Sequence, residues 1–89
     1  MDTQFKKGII ELCVLSELDK EDTYGYKLVK NLSQTLEVGE STIYTMLRRL
    51  TKDGVLDLYE KESSDGPTRK YYTLTGRGKE KKINMVNEW

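Results

Sequence analysis

The sequence predicts a mainly α-helical domain that carries one small β hairpin. Three observations predict it. Apolar residues recur at helical spacing in two successive segments, Leu28, Val29, Leu32 and Leu36, then Ile43, Met46, Leu47 and Leu50. A third, earlier segment is apolar on two sides. Between Val55 and Leu74 the period falls to two, around the turn-forming stretch Glu62 to Pro67. Three helices, a two-stranded antiparallel hairpin and a C-terminal helix, in that order, make a winged helix-turn-helix.

The first helix is expected from about Gln4 to Leu18. Phe5, Ile9 and Leu12 mark one apolar face, and Ile10, Val14 and Leu18 a neighbouring one. A helix apolar on most sides must be covered on most sides, and in so short a chain a second copy is the natural cover. Gln4, Lys7 and Glu11 form the polar strip, with Lys7 one turn from Glu11 and able to pair with it. Asp19 to Asp22 is a polar break, after which Asp22 or Thr23 can cap the second helix. Gly25 near the start of that helix points to a close helix–helix crossing, because glycine otherwise costs a helix about 1 kcal/mol relative to alanine.

Glu37 to Glu40 reads as a turn and Ser41 as the N-cap of the third helix. Its apolar face leaves Ser41, Thr45, Arg48 and Lys52 outward, flanked by Tyr44 and Arg49. Gly54 suits a left-handed helix end. Val55 to Lys61 is the first hairpin strand, with Leu56 and Leu58 pointing inward. Arg69 to Leu74 is the second, with Tyr72 and Leu74 on one face and Arg69, Tyr71 and Thr73 on the other. Thr75 caps a last helix that carries Arg77, Lys79, Lys81 and Lys82, followed by Ile83, Met85, Val86 and Trp89.

Composition narrows the function. The 89 residues make one domain, 34% charged and 36% apolar. The longest apolar run, Leu12 to Leu15, is far too short to span a bilayer, and Glu11 breaks any leader-like stretch, so the expected compartment is the cytoplasm with no membrane partner. One cysteine excludes an internal disulfide, and Cys13 reads as a small buried apolar residue. With no histidine there is no His-based triad, no metal or other cofactor is expected, and no catalytic constellation is visible. The net charge is zero, but it is unevenly spread. Residues 1–40 hold five basic and eight acidic side chains, whereas residues 41–82 hold ten and six. The positive segment is the one a duplex would meet.

A recognition helix needs one buried face and short polar or basic side chains on the other. Thr42, Thr45 and Arg48 fit base-edge or phosphate contact, with Arg48 the base reader, and the Tyr44 hydroxyl can reach a phosphate. Arg69 and Lys70 beside Gly66 and Pro67 suit backbone contact by the wing. Periodicity alone is met more often by an ordinary amphipathic surface helix. Basic residues also guard exposed strand edges. Tyr24, Tyr26, Tyr71 and Tyr72 read as packing residues, and Lys79 to Lys82 as a solvated face. The rival function is a winged-helix module that uses the same helix to hold a protein.

Four segments together resemble the PadR family of bacterial transcriptional regulators. They are Gly8 to Leu15, Thr23 to Leu28, Ser41 to Leu50 with Gly54 to Leu56, and Gly66 to Thr75. The resemblance implies a homodimeric winged-helix repressor on a pseudo-palindromic operator, with double-stranded DNA and a second copy as partners. By position, Ser41, Thr42, Tyr44, Thr45 and Arg48 fall on the recognition helix, and Arg69, Lys70 and Tyr71 on the wing. Lys52 extends the helix surface by periodicity. Residues 1–75 would form the DNA-binding domain and 76–89 the dimerisation segment, with Phe5, Ile9, Ile83, Val86 and Trp89 in the dimer contact. Some relatives bind small aromatic effectors between the dimer's helices. Thr45 stands where the family usually has proline, and Gly76 and Gly78 stand where helix formers are commoner.

Overall fold

The apolar periodicity is realised as four helices and three strands in a computed structural model, which describes residues 3–88. The elements are α1 (Thr3–Lys20), β1 (Thr23–Tyr24), α2 (Gly25–Leu36), α3 (Glu40–Lys52), β2 (Leu56–Ser63), β3 (Gly66–Leu74) and α4 (Gly76–Glu88). The core is built from one face each of α1, α2 and α3 and from the base of the hairpin. Ile10, Val14, Leu15 and Leu18 meet Leu28, Val29, Leu32, Ile43, Met46, Leu47 and Leu50, closed by Val55, Leu56 and Leu74. The apolar face of α1 centred on Ile10 is thus buried within the chain. Of the other face, Ile9 and Leu12 are half-buried and Phe5 is 52% exposed.

Helix ends explain the turns. After α2, Glu37 takes a left-handed conformation (φ 54°), and the Ser33 hydroxyl donates to the Val38 carbonyl at 2.5 Å. Gly39, not Ser41, is the N-cap of α3, and Ser41 lies inside the first turn. Lys30 pairs with Glu40 at 2.9 Å and ties α2 to the start of α3. At the other end Gly54 has φ +78°, the Val55 amide donates to Leu50 and the Gly54 amide to Thr51. This is a Schellman end, and it turns the chain directly into the hairpin.

The sheet has three strands in the order β1-β3-β2, not two, because Thr23 and Tyr24 pair with Tyr72 and Tyr71. That pairing replaces the expected side-chain cap of α2. Tyr24 is the N-cap residue and makes no side-chain cap bond, while the Asp22 carboxylate accepts from the Tyr59 hydroxyl at 2.7 Å. Gly25 faces the sheet, not a helix: a Cβ there would sit 3.2 Å from the Tyr72 ring. Leu58 is 40% exposed although it shares a face with buried Leu56, because the hairpin extends beyond the helices that cover its base.

Thr75 caps α4 as expected. Its hydroxyl accepts from the Gly78 amide at 3.0 Å and donates to the Gly54 carbonyl at 2.7 Å. Gly78 is buried where α4 crosses the start of β2, and a Cβ would collide with the Val55 carbonyl and the Leu74 side chain. Replacing Gly78 by Ala should therefore cost about 1–3 kcal/mol through overpacking, despite alanine's better helix propensity. Urea titration checks this, and an unchanged midpoint would contradict the crossing.

Candidate nucleic-acid interface

Helix α3 buries Ile43, Met46, Leu47 and Leu50, which turns Ser41, Thr42, Tyr44, Thr45, Arg48 and Lys52 outward. All six are exposed. Among the described residues no carboxylate pairs with Arg48, Lys52 or Lys70. The Thr45 hydroxyl donates back to the Ser41 carbonyl at 2.9 Å, so its lone pairs and methyl group remain the parts on offer.

The helix stands as a ridge between two grooves. On one side a groove of about 490 Å³ separates it from the wing, lined by Tyr24, Tyr26, Tyr44, Tyr72, Leu58, Arg69 and Lys70 with Gly25 at its floor. On the other, about 310 Å³ lies between α3 and α1, lined by Lys7, Ile10, Ser41, Thr42, Thr45, Met46 and Arg49. The structure therefore brings Tyr44 together with Arg69 and Lys70, and places Ser41, Thr42 and Thr45 on the opposite flank. Burial pushes the Tyr72 hydroxyl's pKa up, nearby Tyr44 adds to this and Arg48 opposes it.

The outer face of the wing is aromatic. Tyr59 stacks on Tyr71 at 5.7 Å between centroids, and Tyr71 meets Tyr24 at 5.9 Å. The Arg69 guanidinium lies 4.6 Å from the Tyr24 centroid, and the Lys61 ammonium 5.3 Å from that of Tyr71. Tyr71 is thus held within a ring cluster, and Arg69 lies against Tyr24 while Lys70 alternates to the other face of β3. Tyr26, expected to pack, is exposed.

Three features escaped the sequence reading. Glu11, placed in a solvated strip, is 7% exposed and pairs with Arg49 of α3 and, at 3.2 Å, with Lys81 of α4. Lys82 pairs with Asp19 at 2.8 Å, so two lysines of the cluster on α4 tie that helix to α1. Leu58 and Tyr26 join the wing-side groove. A carboxylate at helical spacing from Lys7 carries no sign that it faces inward. Cys13 is half-buried, and its thiol pKa is raised by burial and by Glu17. Among the described residues no three metal-ligating side chains converge, and no helix is long and apolar enough to cross a membrane.

A helical core presenting an exposed, cation-bearing helix beside a hairpin defines a winged helix-turn-helix of the DNA-binding class. The sequence profile of the transcriptional regulator PadR-like family matches residues 14–82. A Streptococcus transcriptional regulator of known structure superposes with TM-score 0.88 at 35% identity, covering 99% of this chain and 88% of that one. A PadR-like transcriptional regulator from Bacillus cereus gives 0.84 at 36%, covering 98% and 86%. A Lysinibacillus sphaericus protein is 32% identical over 87 residues, 93% of this chain and 80% of its own. The chain belongs to the PadR-like family of transcriptional regulators, a family of regulators and not of enzymes.

Hydrogen bonds from Tyr59 and Thr73 hold the Asp22 carboxyl below the usual carboxylate range. A depressed folded-state pKa contributes stability that is present above the unfolded value and lost as pH falls through the folded one. Asp22→Asn should therefore flatten the loss of stability below about pH 4. Thermal melts from pH 2 to 7 check this, and an acid limb as steep as the wild type's would count against the bond.

Proposed function

We propose that the protein is a homodimeric repressor that binds a pseudo-palindromic operator through α3 and the wing. The observation that carries the reading is the cationic side chains of Arg48, Lys52 and Lys70, exposed on α3 and the adjoining hairpin and without a carboxylate partner among the described residues. Such groups neutralise phosphates and release counterions, which is the main source of duplex affinity. Arg48 reads a base. Ser41, Thr42 and Thr45 line the major-groove flank, and Tyr44 and Lys70 hold the backbone across the wing-side groove. Arg69, at the edge of that groove and over the Tyr24 ring, acts through its remaining donors, and Tyr71 acts from the aromatic face of the wing by stiffening the strand.

The dimer is supported by apolar surface on the outer helices. Ile83 and Val86 of α4 are 59% and 51% exposed, and Phe5 and Ile9 continue an apolar face on α1. Trp89, expected in the same contact, lies outside the described residues. Residues 76–89 serve as the dimerisation segment, and residues 1–75 as the DNA-binding domain.

Two measurements test this. Arg48→Ala should weaken operator binding by ~1–3 kcal/mol and relax preference at one base pair, whereas Lys70→Ala should weaken all sequences alike and reduce the salt slope by about one. Binding to the DNA upstream of its own gene that ignores salt would overturn the reading and favour a protein partner for α3. In sedimentation at micromolar concentration the wild type should run as a dimer and Ile83→Asp with Val86→Asp as a monomer. A monomeric wild type removes the dimer.

A further inference from the structure

We propose that Glu11 is a positioning residue for DNA recognition, holding Arg49 of α3 and Lys81 of α4 on one buried carboxylate so that the recognition helix keeps a single angle. The inference rests on the DNA-binding reading given above. Glu11 Oε1 accepts from the Arg49 guanidinium, and Oε2 lies 3.2 Å from the Lys81 ammonium. The carboxylate thus takes one partner from each of two helices while seated on a third. Arg49 is also within 3.3 Å of the Met46 sulfur, and it lines the groove shared with Ser41, Thr42 and Thr45.

Stability alone does not account for such a cluster. Burying a carboxylate is costly, and an apolar replacement of similar volume is often neutral or stabilising. The rest of the α3 underside is Ile43, Met46, Leu47 and Leu50, whose packing attraction is non-directional. A guanidinium on a carboxylate is directional. The ion cluster therefore supplies an angular constraint that the apolar face lacks. Reading a base edge demands side chains held to fractions of an ångström, whereas phosphate contacts tolerate slack. Loosening Glu11 should erode discrimination between sequences while leaving general duplex affinity in place. Lys81 neutralises the carboxylate's second oxygen and so acts on α3 only through Glu11.

The test compares binding of a duplex copying the DNA upstream of the protein's own gene with binding of a scrambled duplex of equal length, at several salt concentrations. The variants are Lys81→Met, Glu11→Gln and the two combined. Lys81→Met should lower the ratio of the two affinities roughly threefold to tenfold, with the salt slope unchanged, and should add nothing in the Glu11→Gln background. Equal losses in both backgrounds, or an unaltered ratio, overturn the proposal. If Glu11→Gln does not fold, Lys81→Met decides alone. Weaker binding to both duplexes with a shallower slope marks Lys81 as a direct phosphate contact and overturns the positioning role. A wild type that treats the duplexes alike removes the operator reading, and this one with it.

Discussion

The carboxylate of Glu11 is the point on which the helical assembly turns. It lies on α1, is almost fully buried, and holds cations from α3 and α4. An unpaired carboxylate at that depth is costly, and the cations from α3 and α4 offset its burial. The apolar core supplies most of the folding free energy, because burying Ile43, Leu47 and Leu50 against Val14 and Leu15 removes far more surface from water. What the ion cluster adds is registry. Lys82 with Asp19, and Lys30 with Glu40, add surface ties of the kind that contribute little individually.

A second constraint organises the far end. The Schellman turn at Gly54, the cap at Thr75 and the buried Gly78 all converge on the carbonyls of Gly54 and Val55. The end of α3, the base of the wing and the start of α4 thus share one small polar knot. Only Asp53, Gly54 and Val55 separate α3 from β2, so this knot fixes where the wing leaves the helix.

Much of this was legible in the residues. The spacing of Leu28, Val29 and Leu32, and of Ile43, Met46, Leu47 and Leu50, identifies the buried faces of α2 and α3, because a helix buries one stripe. Gly54 and Thr75 announce their ends through backbone chemistry. What stayed hidden depends on distant partners. Two residues of β1 are too few to show a period, and they become a strand only because β3 offers them a free edge. Leu58 has the inward parity of Leu56 but lies past the reach of the helices. Glu11 sits at helical spacing from Lys7, so local pairing hides its true partners, 38 and 70 positions away. The outward face of α3 was readable as chemistry, while its division into two grooves follows from how α1 and the wing flank it.

The sheet has an asymmetry with a separate outcome. Strand β1 covers only the inner end of β3, and among the described residues no strand pairs with the outer edge of the eight-residue β2. An uncovered strand of that length is a template for another chain. Here Asp57, Glu60, Lys61 and Glu62 crowd it with charge, and the Lys61 side chain folds over the Tyr71 ring. Two such edges brought together would strip water from these charged side chains as well as from the backbone. The charged edge thus works against self-templated stacking of the hairpin, at a place where the fold leaves a long strand open.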